Sequence, residues 1–286
     1  MVHAPAAAGG VGPAPAIRDR PGTGTVVHLL GRFEITRDGS PVDVPASTHR
    51  LVAFLALRGG PVERSQVASC LWLDKSEERA HANLRSSLWR LRHQEMPLVA
   101  TAVTSLSLLS DVSVDLHALL ARARQLITEN VPVDLSTVDV AALGADLLPA
   151  WYDDFVELER ERFRQTRLHA LEALSRRSAR AGAFAEAVDA GLAAVSVDPM
   201  RESAHRVVIE AHLAEGNQSD ALLQFRRLAT ILHQQLGIRP SQRTCDLVAA
   251  RPKDNGGPVA RLGQQRGGWH DSIGVARQPS VRASSR

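Results

Sequence analysis

Ser76-Glu77-Glu78-Arg79-Ala80-His81-Ala82-Asn83-Leu84-Arg85-Ser86-Ser87-Leu88-Trp89-Arg90-Leu91-Arg92-His93 is the run whose pattern decides the reading of the chain. At about 100° per residue, Ala80, Leu88 and Leu91 fall within about 40° of Leu84, which makes one narrow apolar stripe. Arg79, Asn83, Ser86, Arg90 and His93 take the far side, between about 180° and 260°, with Arg85 and Arg92 flanking at about 80–100°. Four arginines and no acid lie between positions 79 and 93. Ser76 suits an N-cap, and Glu77 and Glu78 set negative charge against the positive end of the helix dipole. Arg can donate two hydrogen bonds to a guanine edge, Asn can pair likewise with adenine, and a short Ser allows close approach to a groove floor. Arg79, Asn83, Arg85, Ser86, Arg90, Arg92 and His93 are therefore the candidate DNA-contacting residues. The competing reading is an ordinary solvated helix face. Trp89 falls on the exposed side at about 140°, either against a neighbouring hairpin or along a sugar-phosphate backbone, and the sequence leaves both open.

The flanking segments weigh against the solvated face. Val26–Leu30, Arg32–Thr36 and Val42–Val44 are short β-prone runs, separated by Gly31 and the Asp38-Gly39 turn signal. A first helix is expected from Ser47, as N-cap, to Arg58, stopped by Gly59-Gly60-Pro61. A second is expected over about Glu63–Trp72, and Leu98–Thr101 with Ser105–Leu109 reads as a hairpin. Three strands, three helices and a hairpin follow the order of a winged helix-turn-helix of the OmpR type.

From about Val112 to Ala250 the pattern is helical almost throughout. Ala181-Gly182-Ala183-Phe184-Ala185-Glu186-Ala187 and Glu215-Gly216-Asn217-Gln218-Ser219-Asp220-Ala221 align at an offset of 34 residues, the tetratricopeptide period. Gly stands at the turn of each unit and Ala five positions later permits close helix–helix approach. The expected fold is thus an α+β winged helix-turn-helix followed by an all-α tetratricopeptide-like repeat domain. The expected division is a disordered 1–25, a DNA-binding domain over 26–111, a helical domain over 112–249 and a disordered basic tail over 250–286.

Several motifs resemble a known family in its order. Leu71-Trp72 and Arg79–Arg92, especially Ala80, Leu84-Arg85 and Leu88-Trp89-Arg90-Leu91-Arg92, resemble the recognition segment of regulators carrying the bacterial transcriptional activator domain. That group includes the Streptomyces antibiotic regulatory protein family. Leu29-Leu30-Gly31-Arg32-Phe33 resembles its opening strand, and Val114-Asp115 the close of its first domain. Leu147–Val156, Glu159-Arg160-Glu161-Arg162, Asp198–Arg206 and Leu236–Ser241 resemble marks of its helical domain. One departure stands out. Thr104–Leu108 occupies the wing and contains no Arg, where the antibiotic regulators commonly have Gly-Tyr-Arg-Leu.

The resemblance implies an activator that binds direct repeats in double-stranded DNA near promoters, often of secondary-metabolite genes. It implies recruitment of RNA polymerase and assembly as a homo-oligomer on DNA. The alternative is a tetratricopeptide-like interaction scaffold whose winged helix has lost DNA binding.

Composition bounds both readings. Net charge is +3, yet residues 26–117 balance ten basic against ten acidic groups, residues 118–250 carry fifteen against eighteen, and residues 251–286 carry seven against two. Overall basicity therefore sits in the tail, and any case for DNA binding must be local. Cys70 and Cys245 read as structural thiols of a cytoplasmic protein. No apolar run is long enough to span a membrane, and the Ala/Gly/Pro-rich start lacks the layout of a secretory signal. No phosphate loop and no nucleophile–base pair is present, so no enzyme, cofactor or catalytic residue is expected. Asp153-Asp154 reads as a structural corner, and His205 with His212 lacks a third metal ligand.

Overall fold

Val27 alternates with more exposed neighbours along its strand and stands opposite Ile35, also buried, in the first sheet. A computed structural model of the chain describes residues 24–93, 97–128 and 131–249. Strands β1 (Thr25–His28) and β2 (Glu34–Arg37) run antiparallel, with Val26 opposite Thr36. β3 pairs with β2 but covers only Ser40–Pro41, two residues ahead of the expected Val42–Val44. Val42 instead donates its N–H to the Ile35 carbonyl at 2.8 Å as the chain leaves the sheet.

Helix α1 (Ala46–Arg58) begins one residue before the expected cap. Pro45 occupies the N-cap position, where its missing N–H costs nothing, and Ser47 lies inside the first turn. The helix ends at Gly59, whose φ of 66° places its N–H on the Leu55 carbonyl. A two-residue strand, β4 (Val62–Glu63), leads into α2 (Arg64–Leu71), and α3 spans Glu77–Arg92. β5 (Val99–Thr101) and β6 (Ser105–Leu108) form the expected hairpin, and β4 joins it in the order β4-β6-β5.

Val112–Val114, expected to be helical, is strand β7, parallel to β1 and completing the first sheet in the order β3-β2-β1-β7. The Asp115 carboxylate then accepts from the N–H groups of Leu29 at 2.9 Å and Leu30 at 3.2 Å. The opening-strand motif and the Val114-Asp115 motif thus meet directly.

The second half is helical: α4 (Asp115–Ile127), a 3-10 turn at Leu135–Thr137, α5 (Val140–Gly144), α6 (Asp154–Arg180), α7 (Phe184–Val197), α8 (Glu202–Glu215), α9 (Gln218–Leu236) and α10 (Gln242–Ala249). The 34-residue repeat corresponds to the hairpins α6–α7 and α8–α9. Gly182 and Gly216 make their turns at φ 78° and 94°, and Ala187 and Ala221 are fully buried between the paired helices. Mid-helix Gly191 permits the approach of α7 to α8, since a Cβ there would lie 2.6 Å from Val208 Cγ2.

One hydrophobic core joins the two sheets and α1–α3 to Leu147, Leu148, Val156 and Phe163, and a second lies among α4–α8. Residues 146–148 lie along the end of β1. Leu30 and Leu147 form an antiparallel bridge, Gly31 donates to the Asp146 carbonyl at 2.7 Å and Leu148 donates to the Leu29 carbonyl at 2.9 Å. The order of a winged sheet-and-helix region followed by a helical domain is as expected. The disorder expected for the two tails concerns residues that lie almost wholly outside the described ones; Thr25, counted with the leading tail, opens β1.

Candidate nucleic-acid interface

Helix α3 turns its apolar stripe inward: Ala80, Leu84, Leu88 and Leu91 are all buried, and Ser87 is buried beside them. Burying that stripe against α1 and α2 fixes the helix by hydrophobic contact, and the opposite face is set outward by geometry. Ser76 stands at the N-cap with extended backbone, although its hydroxyl makes no capping bond. Glu77 and Glu78 fill the first turn while Arg90 and Arg92 fill the last, both in the sense that the helix dipole favours.

All seven candidate residues come together on this surface. Arg79, Arg85, Ser86, Arg90, Arg92 and His93 are exposed, and Asn83 is half-buried. Their states differ. Arg79, Arg85 and Arg92 have no hydrogen bond or ion pair among the described residues, so their guanidinium groups are free to meet an anion. Arg90 is oriented by α1, donating from Nη1 to the Ser47 hydroxyl at 3.3 Å. Ser86 donates back to the Ala82 carbonyl at 3.0 Å, which leaves its oxygen lone pairs as acceptors. The His93 ring bonds the Trp89 carbonyl at 2.8 Å. Trp89 is 61% exposed, and its ring lies 4.1 Å from that of His93, centroid to centroid. The sequence left the placement of this ring open, and the structure gives it His93 as a stacking partner.

The wing tip carries Val103, 94% exposed, and no basic side chain of its own. A basic group nevertheless stands beside it. Arg64, the first residue of α2, donates its backbone N–H to the Thr104 carbonyl at 2.8 Å and its Nε to the Ala102 carbonyl at 3.4 Å. Arg64 escapes sequence reasoning because β4, which brings it to the hairpin, is two residues long and has no periodicity to detect.

The helical domain fixes the winged region through α1. Asp153, at the start of α6, accepts from Arg50 Nε at 2.7 Å and Nη2 at 2.6 Å, which ties α6 to α1. Phe54 meets Phe155 edge-on with centroids 5.2 Å apart, and Phe33 stacks obliquely on Trp151 at 5.4 Å. The Trp151–Asp154 motif is thus a corner between the two halves. Elsewhere, Glu202 accepts from Ser241 N–H, Ser241 Oγ at 2.7 Å and Thr244 Oγ1 at 2.8 Å, joining the Asp198–Arg206 and Leu236–Ser241 motifs. Burial raises the Glu202 carboxyl, but these hydrogen bonds outweigh it and hold the group below the ordinary value. Among the described residues no group of three His, Cys, Asp or Glu side chains is placed to hold a metal, and no helix is long and apolar enough to cross a membrane. His205 is buried between the Pro199 carbonyl and the Gln224 amide, each at 3.0 Å.

Residues 139–250 match the model of the bacterial transcriptional activator domain. Among solved structures, Mycobacterium tuberculosis EmbR in complex with a low-affinity phosphopeptide has a similar fold, with a TM-score of 0.63 and 23% identity. The match covers 79% of this chain and 64% of that one, so this chain spans less than two thirds of the EmbR chain. No curated protein matches the sequence. The domain match and the shared fold bear out the resemblance to regulators of the bacterial transcriptional activator domain type.

Proposed function

We propose that the chain is a transcription activator that reads double-stranded DNA through the outward face of α3. The observation that carries this reading is the set of outward arginines. Arg79, Arg85 and Arg92 are without protein partners among the described residues, on a helix whose other face is locked into the core. In this reading Arg90, Asn83 and Ser86 read base edges, while Arg79, Arg85, Arg92 and His93 sort between bases and phosphates. Arg64 and Val103 set the wing beside the backbone.

Residues 26–114, with β7 completing the first sheet, form the reader, and the helices from Asp115 to Ala249 the regulatory half. A single winged helix covers only a few base pairs, so useful specificity calls for two copies over direct repeats. The helical half carries a net charge of −3 over residues 118–250, which suits contact with a neighbouring protomer or RNA polymerase better than a phosphate track. Such a regulator works in the cytoplasm, without a catalytic step.

The test is binding of the full chain to its own upstream DNA, measured by anisotropy across a salt series against random duplex. Specific binding with a salt slope supports the reading. Equal, weak binding to both duplexes would leave the winged helix as an interaction scaffold.

A further inference from the structure

A cavity of about 1030 Å³ opens between the α6–α7 hairpin and the Leu135–Gly144 segment, away from the α3 surface. We propose that it binds an amphipathic organic cation: a small molecule with an apolar body and a protonated amine or guanidinium head. The size is that of a small-molecule site. The floor is apolar, formed by Val138, Val140, Leu174 and Val197.

Charge selects the head group. Arg167 is the cation of the wall: Nη2 donates to Asp146 at 2.7 Å and Nη1 donates to the carbonyls of Ala145 and Gly144, while its buried Nε has no partner among the described residues. That ion pair cancels within the wall. Glu186 and Asp189, one turn apart on the α7 face that lines the cavity, have no hydrogen bond or ion pair among the described residues. Two uncompensated carboxylates beside an apolar floor favour a cation and repel an anion.

The same walls argue for a small molecule over a peptide. They are largely helical, so most of their backbone N–H and C=O groups are already bonded within the helices and offer little of the ladder that captures an extended chain. No Asn or Gln lines the cavity to read peptide amides; its neutral polar side chains are the hydroxyls of Ser136, Ser178 and Ser196.

The experiment titrates the full chain by calorimetry with 4-phenylbutylamine, a cation at neutral pH, and with 4-phenylbutyrate, an anion of similar size. The amine is expected to bind at least about tenfold more tightly. Glu186→Gln combined with Asp189→Asn removes that preference and leaves the thermal midpoint unchanged, because both carboxylates are exposed. The same neutralisation at Glu215 and Asp220, on the other hairpin, leaves amine binding intact. Ala193→Phe, which fills the cavity, abolishes amine binding. Equal affinity for the two probes, no amine binding, or undiminished binding in either cavity variant overturns the proposal, as does an equal loss in the Glu215/Asp220 control.

Discussion

Arg160 Nη2 donates to the Leu148 carbonyl at 2.6 Å, and Leu148 is held at a φ of 45°. A left-handed backbone costs a branched residue about 1–2 kcal/mol, so this turn persists only because its surroundings hold it. The same guanidinium reaches the carbonyls of Leu147 at 3.0 Å and Trp151 at 2.9 Å. A single side chain therefore closes the turn that lays residues 146–148 against β1. Arg160→Lys should lower unfolding free energy by about 1–3 kcal/mol, since one ammonium cannot satisfy three carbonyls in a fixed fork. Urea unfolding measures this; an unchanged midpoint would show that the turn holds itself.

Arg90 and Arg92 should behave differently on DNA. Arg90 is oriented by Ser47, so Arg90→Ala should cost about 1–3 kcal/mol of specific binding and relax preference at one base pair. Ser47→Ala should give a smaller loss of the same kind. Arg92→Ala should weaken all sequences alike and reduce the salt slope. Anisotropy with a set of single-base operator variants distinguishes them, and a uniform loss for Arg90→Ala would make it a phosphate contact instead.

Gly191→Ala tests the closest helix approach. Ala is the better helix former by about 1 kcal/mol, yet its Cβ would sit 2.6 Å from Val208 Cγ2 and 3.3 Å from Ser175 Oγ. Overpacking of this kind costs about 1–3 kcal/mol, so net destabilisation is expected. Val208→Ala in the same chain should restore part of it. A more stable Gly191→Ala protein would mean that α7 and α8 separate freely.

His205 makes stability depend on pH. Burial lowers its pKa from 6.5, against the opposing effects of the Pro199 hydrogen bond and the Glu202 charge. The folded state therefore takes up the proton less readily than the unfolded state. Stability from this group is complete above about pH 6.5 and is lost as pH falls from there through the lowered folded value. Thermal melts at pH 7.5 and 5.5 should show a larger fall for the native chain than for His205→Gln. Equal falls would place the acid sensitivity elsewhere.

What could be read in advance follows from periodicity. α3 was legible because its stripe and its arginines repeat at helical spacing, and the α6–α9 hairpins because Gly182 and Gly216 recur 34 residues apart. Short strands with distant partners were not. β4 and β7 pair through long-range backbone bonds that no local pattern announces, and with β4 went the place of Arg64 beside the wing. Ser47 looked like a cap because its residue type favours one, but Pro45 already supplies a helix start with no donor to satisfy. Residues acting across the chain, such as Arg160 and Gly191, stand out in sequence only as part of a motif or as a lone helix breaker; their roles depend on partners brought together by the fold.

The pairing of Leu30 with Leu147 bears on how such a protein could be recombined. A chimera cut at the end of the winged hairpin would leave β1 with a bare edge and strip Leu147, Leu148, Val156 and Phe163 from the first core. The exchangeable cassette runs past Phe163, well inside α6, and carries α4 and α5 with it. Any graft of a new operator specificity is therefore better made by replacing side chains on α3 than by swapping the whole reader.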